Sequence, residues 1–137
     1  MSVSDWVEIL GSSDALGRFY GDSVPSPDEC KVFYVHVDER GRSVTVGFET
    51  RNMPSRPVEA WLEKPYNTLE FCLLFSGVED FSVNGWSSVE AARFDVAVQL
   101  DGAILVVLGG EGSGIRFRAA VVALRKARVY LAGAGEG

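Results

Sequence analysis

Apolar residues recur at every second position over most of this 137-residue chain, and a two-residue period can be satisfied only by extended backbone. Val44, Val46 and Phe48 alternate with Ser43, Thr45, Gly47 and Glu49, and Leu69, Phe71, Leu73 and Phe75 alternate with Glu70, Cys72, Leu74 and Ser76. Successive side chains of a strand point to opposite faces, so each stretch offers one face to a core and the other mostly to water. The chain therefore reads as sheet.

The punctuation between these stretches orders the strands. Lys31 to Val37 places Phe33, Val35 and Val37 on one face and Val32, Tyr34 and His36 on the other, and Asp38-Glu39-Arg40-Gly41-Arg42 turns the chain back into Val44 to Phe48 as a hairpin. Pro54, Pro57 and Pro65 remove amide donors between Arg51 and Tyr66, leaving at most one helical turn, Val58 to Glu63, around Trp61. Leu69 to Phe75, Val78 to Val83, then after Ser87 to Ala92 the alternating Phe94 to Leu100, Ala103 to Leu108, Ile115 to Val121 and Arg128 to Leu131 supply the remaining strands. Asn84-Gly85 marks a reversal and Asp101-Gly102 a two-residue hairpin turn. At the N-terminal side, Trp6, Ile9 and Leu10 and then Leu16, Phe19 and Tyr20 have helical spacing, stopped by Gly11 and Gly21.

These elements predict an α+β, mostly β protein: one antiparallel sheet of about seven or eight strands with two short N-terminal helices packed on it. No crossover helices are available for a parallel sheet. A single domain over residues 1–131 and a flexible glycine-rich tail over 132–137 are expected.

A hydrophobic content of 47% is that of a globular protein. No apolar run approaches the roughly 20 residues of a membrane helix, and the start carries Asp5 and Glu8 where a secretory leader would be basic. A soluble cytoplasmic protein without membrane contact is expected, with Cys30 and Cys72 as separate reduced thiols rather than a disulfide. The net charge of −6 argues against direct nucleic-acid binding. Its distribution is uneven: Asp5, Glu8, Asp14, Asp22, Asp28 and Glu29 face only Arg18 within the first thirty residues, whereas Arg116, Arg118, Arg125, Lys126 and Arg128 dominate the last segment. Solvated faces account for both runs unless a charged partner meets them.

Catalytic side chains are scarce. His36 is the only imidazole, with no hydrogen-bonded acid or nucleophile identifiable near it. Two cysteines and one histidine lack the paired spacing of a zinc site. The Gly109 to Gly114 loop joins two strands, lacks the Lys-Ser/Thr and the helix of a phosphate cradle, and carries Glu111. Adjacent acids such as Asp38-Glu39 and Glu79-Asp80 point to opposite faces of a strand. The residues thus predict no catalytic group, no metal and no cofactor. Trp6 suits a core position, and Trp61 and Trp86 suit either a core or an interface anchor.

Several ordered landmarks together carry a resemblance: the N-terminal Trp6 and Leu10; FYGDSVPSP at Phe19 to Pro27; MPSRPVEAW at Met53 to Trp61; and YNTLEFCLLFSGVEDFSVNGW at Tyr66 to Trp86. The chain resembles the immunity protein 50 family of bacterial polymorphic-toxin systems over nearly its whole length. The resemblance implies an α+β protein of the toxin-producing cell's cytoplasm that binds a cognate toxin domain and blocks it by occlusion, without catalysis. It carries no catalytic residues over to this chain, and its Pro, Gly and Trp positions fix turns and packing. Were the toxin a basic nuclease, Asp22, Asp28 and Glu29 would imitate phosphate and speed encounter, with Trp61, Tyr66 and Trp86 as aromatic contacts. The alternative is an intracellular small-ligand or assembly module with Trp61, Tyr66 and Trp86 lining a pocket.

Overall fold

The computed structural model describes residues 9, 16–21, 23–26, 29–84, 94–109 and 114–132. Eight strands are present: β1 (Cys30–Asp38), β2 (Ser43–Thr50), β3 (Thr68–Ser76), β4 (Glu79–Asn84), β5 (Phe94–Val98), β6 (Ile104–Leu108), β7 (Gly114–Ala119) and β8 (Val121–Tyr130). All pairings are antiparallel, and the short connections β1–β2 and β5–β6 allow nothing else.

The single sheet expected from the sequence is corrected to two, each four-stranded, in the orders β1-β2-β3-β8 and β4-β7-β6-β5. The chain changes sheet twice at one corner. Gly77, at φ +66°, turns β3 into β4, and Ala120 turns β7 into β8. The Ala120 amide donates to the Ser76 carbonyl at 2.8 Å, and a Cβ on Gly77 would stand 2.8 Å from that of Ala120. Only glycine fits there, on both backbone angle and space.

Alternation places Val44, Val46 and Phe48 of β2 and Leu69, Phe71, Leu73 and Phe75 of β3 in the core. Val96, Val106, Leu108, Ile115 and Phe117 of the second sheet meet them there, and all are buried. The sheets touch directly where the Phe75 and Phe117 rings meet edge to face with centroids 5.4 Å apart. A further cap comes from Leu16, Phe19 and Tyr20, buried on or beside a four-residue helix, α1 (Gly17–Tyr20). This is shorter than the expected helix from Ser13, whose first residues, like most of the expected helix at Asp5 to Leu10, lie outside the described residues.

Two local expectations are also revised. Val32 pairs with Phe48 and Tyr34 with Gly47, so Phe33 is an extra residue, a β-bulge. The face alternation of β1 therefore shifts at Phe33: Tyr34 and His36 share the outer face with Lys31, while Val35 and Val37 follow Cys30 and Val32 on the core side. The β5–β6 turn has three loop residues rather than two. Gly102 donates to Gln99 and Gln99 to Ala103, with Gly102 at φ +89°, the arrangement of a hairpin closed by a glycine bulge.

Candidate functional site

The ends of β1, β2 and β3 converge beside α1, where the proline-spaced segment crosses over them. This segment cannot pair as a strand, so it is held by other contacts. The Arg56 amide donates to the Phe19 carbonyl at 2.7 Å, the Tyr20 hydroxyl donates to the Asn52 carbonyl at 2.5 Å, and the Trp61 ring lies 4.8 Å from that of Phe19. Val58 to Glu63 does make the expected helical turn, as a 3-10 turn over Glu59–Glu63.

Beside this seam runs an open groove of about 340 Å³ lined by Glu29, Lys31, Glu49, Arg51 and neighbouring strand-end residues. It continues into a second shallow depression of about 570 Å³ over Glu29, Arg51, Asn52 and Met53. Charges of both signs line the first groove, and they are fixed to different degrees. Glu29 accepts from the Ser26 amide at 2.9 Å and from Asn52 Nδ2 at 3.0 Å, and these bonds hold its carboxyl below the usual range. Glu49 accepts from the Tyr130 hydroxyl at 2.8 Å; burial and this bond push Tyr130 up to about 12. Lys31 and Arg51 form no ion pair with any described residue.

Of the residues singled out from the sequence, three fall in this region. Glu29 is exposed at the groove. Tyr66 is half-buried and close enough to the Tyr20 phenol to help raise its pKa, after burial and Cys30. Trp61 is half-buried against Phe19, with its ring packed on the core. Asp22, Asp28 and Trp86 lie outside the described residues.

Sequence reasoning missed the outer face of the β1-β2-β3-β8 sheet. The register brings Lys31, Glu49, Glu70 and Arg128 into one row across four strands. Arg128 Nε donates to Glu70 Oε2 at 2.7 Å, and its guanidinium lies 5.3 Å from the Tyr130 ring centre. The Tyr34 and His36 rings stack beside this row, 6.5 Å apart and nearly parallel. Glu49 and Tyr130 are 81 residues apart in sequence, and no local pattern could have joined them.

His36 stacks on Tyr34 and hydrogen bonds to no described carboxylate. Cys30 and Cys72 are free, and burial pushes both thiols up, Cys30 to about 12, away from the thiolate that reactive cysteines need. Among the described residues no group of three or more metal-ligating side chains is gathered, and no helix is long and apolar enough to cross a membrane.

On the opposite face of the molecule, Arg118 bonds Gln99 at 3.1 Å and Asp101 at 2.6 Å and lies 3.6 Å from Asp80, pinning the β5–β6 hairpin. This cluster fixes a loop.

Compared with known protein families, residues 13–130 match the family model described as Immunity protein 50. No curated protein and no solved structure matches the chain.

Proposed function

The chain belongs to the immunity protein 50 family, and from that premise we propose that it binds a cognate polymorphic-toxin domain in the cytoplasm of the producing cell and neutralises it by covering its active site or substrate groove. The observation that carries this reading is the length of the family match, which takes in every described strand and the α1 cap. The mechanism is stoichiometric and non-catalytic. Two hydrogen-bonded sheets on one core present a preformed surface, so little ordering entropy opposes association. To silence a lethal enzyme the complex needs nanomolar strength or better, about −12 kcal/mol, over roughly 1,600 Å².

The region around the strand-end groove supplies the contacts in this reading. Glu29 is held as an anion by its two hydrogen bonds, and with Asp22 and Asp28 it would meet a basic toxin such as a nuclease. Trp61 and Tyr66 would add aromatic surface there, and Trp86, outside the described residues, is proposed from its residue type alone. Reversing Glu29 to Lys should then slow association and flatten its salt dependence. The alternative of a small-ligand pocket asks for an enclosed apolar cavity. The described grooves are open and charged, and Trp61 spends its ring on Phe19.

The deciding experiment is co-expression of this chain with the toxin domain encoded beside it, followed by co-purification. A stable complex in which the toxin is inactive is expected. A toxin that elutes alone and keeps full activity in an excess of this protein would reject the proposal.

A further inference from the structure

Sheet order leaves β1, β8, β4 and β5 as edge strands, and an edge invites pairing unless something blocks it. Three of them are blocked. β8 carries Arg125, Lys126 and Arg128, with a bulge at Arg125; β4 has six residues, a bulge and Asp80 at φ +56°; β5 has five residues. β1 is different. It runs for nine residues, is uncharged from Val32 to Val37, and leaves Phe33, Tyr34 and Val37 exposed by 47, 45 and 43%. No described segment pairs with it on the side away from β2.

We propose that a second copy of this chain adds antiparallel to β1 across a twofold axis, joining two β1-β2-β3-β8 sheets into one. The bulge sets the register. Because Phe33 is the extra residue, Lys31, Tyr34, His36 and Asp38 share the outer face, and Val32, Val35 and Val37 share the core side. A twofold antiparallel pair must place residues of the same face opposite one another. Centring the axis on Val35 meets that demand along the whole strand. Val35 faces its own counterpart, Tyr34 faces His36 of the second copy, and Val32 faces Val37 of the second copy.

The same register sets Lys31 opposite Asp38 of the second copy, and symmetry makes the contact twice. These are the only two charged residues of β1, and they have opposite sign. Without the bulge they would fall on opposite faces and could not meet. Among the described residues Lys31 has no ion pair, and Asp38 accepts only the Gly41 amide, at 3.1 Å. The Tyr34–His36 stack would also continue across the axis. One strand pairing is a small interface, so association is expected to be weak and dependent on concentration.

Sedimentation equilibrium on the full chain tests this with Lys31→Asp, Asp38→Lys and Val37→Lys, each checked for the wild-type far-UV spectrum. The wild type should pass from one chain to two as concentration rises. Lys31→Asp and Asp38→Lys should each weaken association roughly tenfold, because every homodimer then sets like charges face to face. Val37→Lys, opposite Val32, should abolish it. Mixing Lys31→Asp with Asp38→Lys should restore dimers, since the mixed pair has Asp against Lys at both ends; a mere loss of stability in either variant could not produce that. A single-chain mass at the highest soluble concentration would overturn the proposal, as would a mixture no tighter than its separate components. So would a monomer whose Val37→Lys variant loses only toxin binding, which would give this edge to the toxin.

Discussion

The β1-β2-β3-β8 sheet is built from strands of eight to ten residues, whereas those of the β4-β7-β6-β5 sheet have five or six. The long sheet brings distant segments into rows on an open outer face, where Glu49 meets Tyr130 and Glu70 meets Arg128. The short sheet closes the other side of the core, and its outer face is organised by Arg118 around one hairpin. Both contribute equally well-buried side chains inward. Similar burial on the inner faces with different outer faces indicates that stability is shared between the sheets, while the open charged row lies on one.

The strongest challenge to shared stability is truncation of one central aromatic from each sheet. Phe71→Ala and Phe117→Ala remove fully buried rings and should each cost about 3–5 kcal/mol. Chemical denaturation should show one cooperative transition in both variants. A transition that splits in two would mean that the sheets unfold independently.

Glycine substitutions sharpen the contrast at a smaller scale. A Cβ on Gly114, at φ +117°, would stand 1.9 Å from the Leu108 carbonyl oxygen, so Gly114→Ala should cost about 1–3 kcal/mol. Gly47 in the long sheet has no such backbone angle. Its added methyl would meet Tyr34 Cβ at 3.0 Å and the tip of the Phe33 ring at 3.1 Å, and the exposed ring can swing away. Tyr34 Cβ is fixed to the backbone and must give by a few tenths of an ångström, so Gly47→Ala should cost about 1 kcal/mol, the low end of the overpacking range, and equal midpoint shifts for the two variants would break the distinction.

Alkaline titration probes the seam between α1 and the long sheet. Burial raises both the Cys30 thiol, to about 12, and the Tyr20 phenol. The folded protein therefore keeps protons that the unfolded chain releases, and stability must fall as pH rises above the ordinary thiol value of 9.0. The slope is at most about 1.4 kcal/mol per pH unit for each group. Denaturant midpoints measured between about pH 8 and 11 should decline, and Cys30→Ala should flatten the first part of the decline. An unchanged slope in that variant would remove Cys30 from the account.

The smallest effect is the coupling between sheets. A double-mutant cycle of Phe75→Leu and Phe117→Leu should leave an interaction of about 0.5–1.5 kcal/mol, the range for a ring pair in contact. Strict additivity would mean that the two rings are only neighbours.

Much of this architecture was legible in the sequence, because alternation reports which face each side chain takes. Val44 to Phe48 and Leu69 to Phe75 lie inward as their spacing demands, and the reversal at Asp38 to Arg42 forms. Alternation does not report which strands are neighbours. The step from β3 to β4 at Gly77 and from β7 to β8 at Ala120 looks like continued strand pattern, yet each transfers the chain to the other sheet. A bulge is equally silent, and Phe33 reverses the expected faces of Tyr34 and Val35. In the region of the candidate groove, residue type and turn context single out Glu29, Trp61 and Tyr66 as expectations. They do not single out Lys31, Arg51 and the Glu49–Tyr130 bond, since strand register brings them together from remote parts of the chain.

Titration of purified chain into the adjacent toxin domain, with toxin activity as the readout, bears most directly on the central claim. Activity should fall linearly and reach zero at one chain per toxin molecule. Activity that persists beyond saturation, or that disappears at a small fraction of one equivalent through turnover, would contradict an inhibitor that acts by covering its target.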